Sequence, residues 1–451
     1  MKKTIFTLIK YILTFIAVML GLNILMLLSS LIPSSLLEQH VKESANIIVD
    51  QKEYWAVTSI DGIDNCTDAL MLNEAYSIDN TDPIYSYMSA RKNFKKGLTT
   101  KEQGDFTGEL HSINVGIAAD YGDGYAPGIE LLNFTENRID TSFTYTRYWH
   151  GYLIYLRPLL LFINITGIRV VQGLFLGFLF LYLIYLLYKK FDKKIASIFA
   201  FSILAVKTFF IVLSMQGFPV YAIALLASII LLKNYDKIKD FGLFFFVIGI
   251  VTNFFDYLTV PLLTLGIPLI IYLLLKIKDN KKYTEKQVAL ETIKYIIIWF
   301  LGYAITWFSK FAIYSIAYDS NALVNGIQQM FYRSERSNYK SYFTIQGTIR
   351  EFLLTTYLFS LIVYFVIKFV YKFIHIFLLN YSYKKDDSYK KYQILVIPFV
   401  IIGILPFVWY SVLANHTILH YYFVYRHTLL TILTSLLLIL FCVNKKAVKN
   451  K

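Results

Sequence analysis

Ile168-Arg169-Val170-Val171-Gln172-Gly173-Leu174-Phe175-Leu176-Gly177-Phe178-Leu179-Phe180-Leu181-Tyr182-Leu183-Ile184-Tyr185-Leu186-Leu187-Tyr188, followed at once by Lys189-Lys190-Phe191-Asp192-Lys193-Lys194, decides how this chain is read. The apolar part is long enough for a helix that crosses a bilayer, which takes about 20 residues. It is apolar on every face, so it is not the one-sided helix of a soluble domain. The lysines that close it are the charge that holds a helix end on one side of a membrane. Ten stretches share this character, at 5–31, 168–188, 195–214, 217–233, 241–257, 258–275, 290–315, 351–371, 393–414 and 428–443. Pro261 and Pro268 make the sixth irregular, and 241–275 reads as a tight helical hairpin or a kinked pair.

Composition agrees. Of 451 residues, 57% are hydrophobic and only 16% charged, against about 25% charged in ordinary soluble domains. A soluble enzyme, a disordered chain and a collagen-like or coiled-coil rod are excluded. The expected fold is an all-α polytopic membrane protein of about ten transmembrane helices. It divides into a first anchor (1–32), an extracytoplasmic loop domain with an interfacial helix (33–166) and a multi-pass domain (167–451). The first span is too long for a signal-peptide core and reads as a retained anchor. Cys66 and Cys442 fall on opposite expected sides, so no disulfide framework exists.

Lysines set the orientation. Lys2-Lys3, the 189–194 cluster, Lys233 to Asp240, Lys276 to Lys286, Lys384 to Lys391 and Lys445 to Lys451 all fall on one side if there are ten spans. The positive-inside rule makes that side cytoplasmic, with both termini inside a bacterial plasma membrane. The formal charge of +14 is thereby accounted for without nucleic acid as a partner. The nine arginines (91, 138, 147, 157, 169, 333, 336, 350 and 426) fall on or near the other side. Their planar fork suits phosphate or carboxylate; chance placement in a lysine-rich chain is the alternative.

Residues 33–150 form the one large polar segment, with 18 acidic and 9 basic residues. It is too polar for a core of its own and is expected to pack on the membrane helices. Within it, Asp61-Gly62-Ile63-Asp64-Asn65-Cys66-Thr67-Asp68 clusters carboxylates that suit a general base or a hard cation. A solvated turn capping a helix near Asp68 explains the same residues. Next, Thr146-Arg147-Tyr148-Trp149-His150-Gly151-Tyr152 leads through Arg157 to Phe162, the pattern of an amphipathic helix on a membrane surface. There Arg147 and Arg157 suit a lipid phosphate, and Trp149 and His150 suit a sugar. The outer loop from Tyr332 to Lys340, with Arg333 and Arg336, would attract anionic headgroups or a polyprenyl phosphate. The last loop offers His416, His420 and Arg426 for a sugar and a phosphate; zinc is disfavoured because Thr417 stands where the zinc-protease pattern needs Glu. Lys207 and Asp256 are ionisable groups at depth, paired with each other or facing a cavity.

This layout resembles the GT-C superfamily of multi-pass glycosyltransferases that use polyprenyl-linked sugars. The resemblance rests on a single first span, a long acidic first outer loop, a surface helix with Tyr148-Trp149-His150-Gly151, and polar outer loops among many spans. It implies a catalytic carboxylate at Asp61, Asp64 or Asp68, with Asp64 the first choice. It implies a polyprenyl-phosphate sugar donor, a glycan or lipid acceptor and surrounding membrane lipids as partners, with a divalent cation as an optional cofactor. A polysaccharide polymerase or ligase is a neighbouring reading. A transporter without chemistry, or a non-catalytic partner in envelope assembly, is a more distant one.

Overall fold

A computed structural model describes residues 2–51, 64–94, 127–139, 141–279, 283–334, 381–385, 387–443 and 445–449. Asp61, Arg336 and the span expected at 351–371 lie outside the described residues. The chain is mostly helical. Among the described residues, five helices are long and apolar enough to cross a membrane: Ile5–Ser30, Ile165–Lys190, Phe218–Lys237, Glu285–Ala317 and Tyr389–Val412.

In chain order, the first part comprises α1 (Lys2–Ser30), α2 (Glu38–Asp50), α3 (Asn65–Tyr76), α4 (Pro83–Ser89), β1 (Lys92–Phe94), α5 (Pro127–Thr135), β2 (Thr141–Phe143) and α6 (Leu153–Leu160). The bundle continues with α7 (Ile165–Lys190), α8 (Lys193–Ala205), α9 (Phe218–Asn234), α10 (Phe241–Phe255), α11 (Leu262–Lys278), α12 (Glu285–Ala317) and α13 (Ala322–Ser334). The last part holds β3 (Tyr381–Lys385), α14 (Val396–Val412), α15 (Ala414–Leu419), α16 (Leu429–Val443) and β4 (Lys445–Lys449).

Helix starts are written in the sequence as side chains that take up orphan backbone N–H groups. Asn164 caps α7, Asp192 caps α8 and Asp240 caps α10. Asp64 and Asp82 cap α3 and α4, and Thr284 with Gln287 forms a capping box on α12. The acid inside the 189–194 lysine cluster is thus a helix stop-and-start signal. The expected hairpin at 241–275 is two helices, α10 and α11, parted by a turn in which Leu258 has φ 62°. The expected third span is cut short: α8 ends at Ala205, and Lys207 sits in the left-handed turn that follows.

Helix α11 is buried along almost its whole length and forms the centre of the bundle, while α1, α7 and α12 present Leu, Ile and Phe outward as a lipid-facing belt would. Helices α10 and α12 make the most intimate pair. A Cβ on Gly249 would stand 2.1 Å from the Trp299 carbonyl oxygen, and one on Gly302 would stand 2.3 Å from that of Phe246. Where lipid supplies no hydrophobic drive, such close backbone approach is how helices hold each other.

The lysine-bearing helix ends gather at one end of this bundle. Lys10 pairs with Asp240 at 2.7 Å and Lys276 with Glu291 at 2.7 Å. Lys278 donates to the Lys190 carbonyl, and Tyr389 donates to Asp192. Strands β3 and β4 pair antiparallel, with Lys384 opposite Lys446. At the other end α2–α5, β1 and β2 form a polar layer without a core of its own. One buried cluster joins Val41, Met71 and Leu131 of this layer to Ile250 and Phe254 of α10 and Phe311 of α12.

The sequence placed an amphipathic helix on the membrane surface from Tyr148 to Phe162. The helix is shorter, Leu153–Leu160, and the Trp149 and Tyr152 rings turn inward, while Phe162 stays exposed. Trp149 is buried, stacked on Phe254 with ring centroids 5.2 Å apart, and donates to the Thr306 carbonyl at 2.8 Å. Protein contacts bury these rings more completely than a headgroup layer would.

Gly302→Leu must drive its side chain into the α10 backbone. Overpacking of this kind costs about 1–3 kcal/mol or more. The variant should lose monodisperse protein on detergent extraction, while Gly177→Leu, with nothing within 4 Å of its Cβ position, should behave as wild type.

Candidate functional site

The chemistry-bearing side chains collect along α3, where the polar layer meets the bundle. At the start of this helix, Asp64 accepts from the Thr67 N–H at 3.0 Å and from the Gln216 side chain. One turn on, Asp68 accepts from Arg169 at 2.7 Å and from the Met215 N–H at 2.8 Å. Arg169 also donates to Asn65 at 2.7 Å and to Gln51 at 3.2 Å. Both carboxyls are buried. Burial raises the pKa of Asp64, and raises that of Asp68 to about 6 against the pull of the Arg169 guanidinium.

Glu74, near the end of α3, is fully enclosed. Its Oε1 lies 3.1 Å from the Lys92 ammonium, and its Oε2 lies 3.0 Å from His150 Nδ1. Tyr257 donates to Oε2 at 2.6 Å, and Tyr152 donates to the same oxygen. Burial alone would raise this carboxyl's pKa; the Lys92 ammonium, then His150 and the hydroxyls, reverse the shift and hold it below the ordinary carboxylate range. Burial pushes the His150 imidazole below its usual pKa, with Glu74 opposing. Its Nε2 donates to the Tyr145 carbonyl at 2.9 Å.

Tyr145 connects this carboxylate to the arginines. The Lys92 ammonium sits 3.6 Å from the centre of its ring, and the Arg147 guanidinium 5.6 Å from it. Arg147, Arg333 and Glu74 all act on its hydroxyl electrostatically. Arg333 reaches in from α13, donating to the Tyr148 hydroxyl at 2.8 Å, and the Tyr148 and Tyr257 rings lie 4.7 Å apart. The backbone that carries this motif is specific: His150 has φ 56°. A Cβ on Gly151 would stand 2.6 Å from the Phe254 carbonyl oxygen, so this position takes only glycine.

Other expected residues lie apart. Arg157 is buried and donates to the carbonyls of Ser29, Ile32 and Ala75 and to the Ser34 hydroxyl. Its fork is spent on closing the C-terminal end of α1 onto α3, not on a lipid phosphate. Asp256 accepts from the Thr259 N–H at 2.8 Å and hydroxyl at 2.7 Å, and from Tyr303 at 3.3 Å. His416 donates to the Leu258 carbonyl at 2.8 Å, and its ring lies 4.6 Å from that of His420. Arg426 is buried over the Tyr425 ring at 4.9 Å. Among the described residues, no three His, Cys, Asp or Glu side chains converge at metal-ligand spacing.

The structure therefore brings Arg147, Trp149, His150 and Arg333 to one place, and Asp64 and Asp68 to another on the same helix. Sequence reasoning missed Glu74, Lys92, Tyr145 and Lys310. Glu74 carried a signal, an acid two residues past the apolar run Ala69-Leu70-Met71-Leu72 on the same helix. Lys310 carried another, a cation deep inside a span; it is buried and donates to the Met88 carbonyl at 2.7 Å, 5.3 Å from the centre of the Trp149 ring. No protein-family model, no curated protein and no solved structure matches this chain.

Glu74→Gln leaves the Lys92 ammonium buried without its counter-charge. Breaking such a pair from one side costs about 3–5 kcal/mol, read as a lower denaturation midpoint in detergent. Glu74→Gln combined with Lys92→Met should recover a good part of that loss. Because the folded state holds the Glu74 carboxyl below its free value of 4.5, its contribution is complete above that pH. It should fade as pH falls further, so wild type should lose midpoint below it and the double variant should lose less.

Proposed function

We propose that this chain is a membrane glycosyltransferase of the GT-C type, moving a sugar from a polyprenyl-phosphate donor to a cell-envelope glycan or lipid acceptor. It has ten spans in a bacterial plasma membrane, with both termini cytoplasmic and residues 33–166 extracytoplasmic. The observation that carries this reading is the seam itself. Two guanidiniums, Arg147 and Arg333, share the surroundings of Tyr145 with a carboxylate-bearing helix, at the end of the bundle opposite the lysines. A phosphate at the outer leaflet needs cations on that side, and arginine meets it with a planar fork.

The reaction then runs as follows. Asp64 takes the proton from an acceptor hydroxyl as its oxygen attacks the anomeric carbon. The bond from that carbon to the donor phosphate breaks through an oxocarbenium-like state. Charge grows on the departing phosphate; Arg147 and Arg333, beside Glu74 and ten residues (about 15 Å) along α3 from Asp64, stabilise it when the donor lies along that helix. Asp64 suits the role among the described α3 carboxylates, being slightly exposed where Asp68 and Glu74 are fully enclosed. Burial also makes it more basic than a free aspartate. A non-catalytic role in envelope assembly has one observation in its favour: Asp68 and Glu74 both have their charge answered by internal cations, Arg169 and Lys92.

Asp64→Asn should lower surface glycan at least about 100-fold, the usual weight of a general base. Arg147→Gln and Arg333→Gln should each lower it about 10²–10³-fold, with normal protein abundance in the membrane. If single and combined Asn variants at 61, 64 and 68 all keep full product, the base assignment fails and the non-catalytic reading gains. In intact cells carrying Cys442→Ser, a membrane-impermeant maleimide should label Cys66; labelling only after permeabilisation would reverse the orientation.

A further inference from the structure

Away from the seam, a cleft of about 590 Å³ opens between α1, α9 and α10 at the lysine-bearing end of the bundle. Its walls are apolar, with Leu226 of α9 and Leu243 and Val247 of α10 among them. Its rim carries Lys10, Lys239 and Asp240. The shape has a local cause. Helix α1 is fixed to the start of α10 by the Lys10–Asp240 pair and by Tyr11 against Phe246, ring centroids 5.0 Å apart. Gly242 permits that approach, since a Cβ there would stand 2.3 Å from the Tyr11 hydroxyl. Helix α9 packs on another flank of α10, and the wedge between α9 and α1 stays open.

Two features of this wedge select its occupant. From Asp240 to Val251 it follows eleven residues of helix, about 16 Å at 1.5 Å per residue, which is about half of a ~30 Å hydrocarbon core. It is therefore as deep as one leaflet. Its apolar part also ends in two ammoniums against one carboxylate, a net positive rim where headgroups lie. We propose that the cleft binds one anionic diacyl phospholipid of that leaflet, with an acyl chain along Leu226, Leu243 and Val247 and its phosphate at Lys10 and Lys239. A polyprenyl chain is much longer than the recess, and a zwitterionic lipid gains less from the rim because its own headgroup cation offsets its phosphate. The site is separate from the proposed glycosyl-transfer seam and does not depend on it.

The test uses the full chain purified in detergent, with phosphatidylglycerol and phosphatidylcholine of equal acyl length, read by native mass spectrometry. Wild type should retain one phosphatidylglycerol in preference to phosphatidylcholine. A lysine near a lipid surface contributes roughly a fivefold preference, so Lys239→Gln should reduce that preference by about this factor. Leu226→Trp with Val247→Trp should fill the cleft and abolish the retained lipid. A phosphatidylglycerol carrying a photoreactive acyl chain should crosslink wild type within 10–14 or 243–251, which tests the site without any variant. Equal retention of both lipids, crosslinks confined to other helices, or displacement of phosphatidylglycerol by equimolar polyprenyl phosphate would each overturn the proposal.

Discussion

A carboxylate removed from water persists only if its charge is answered, and the Glu74–Lys92 pair is where this structure meets that requirement. The pair joins α3 to β1, and the same carboxylate recruits His150, Tyr152 and Tyr257. Those groups come from the segments before α6 and after α10. One buried charge thus ties the polar layer to the loops of the bundle, and it fixes His150 and Tyr145 in the course of doing so. Leaving any member unpaired would cost more than the contact contributes, so the network acts as a unit.

The layer needs this tie because it has no separate core. Its apolar side chains reach their burial partners on α10 and α12. Arg157 adds a second fastening at the end of α1, and Asp68 with Arg169 adds a third at the start of α7. Each fastening places a full charge against protein oxygens where water is scarce. Charge is therefore concentrated where layer and bundle meet. Below this, α10 and α12 rely on glycine contacts, because polar groups would be costly at that depth.

The two ends of the bundle differ chemically in a way that follows from what each must do. The lysine-rich end needs only hydrated charge, which flexible ammoniums provide. At the opposite end Arg147, Arg169 and Arg333 are held by tyrosines and carboxylates. The proposed phosphate chemistry uses that pre-organisation, since a donor held in place beforehand costs no rearrangement as charge develops.

How much of this was legible beforehand depends on the range of the interaction concerned. Helix positions follow from runs of apolar residues and from caps such as Asn164, Asp192 and Asp240, which act within a few residues of themselves. The gathering of lysines at one end follows from the same runs. The seam was only half legible. Arg147, His150 and Arg333 stood out by residue type and place, but Glu74, Lys92 and Tyr145 are ordinary letters until the chain folds, separated in sequence by 18 and 53 residues. Local pattern by itself determined that this chain is a bundle of apolar helices with a polar segment between the first two. Tertiary structure alone decided which acid is enclosed, which arginines remain near it and that the Trp149 ring turns inward, because those outcomes depend on burying charge and rings among partners that no sequence window contains.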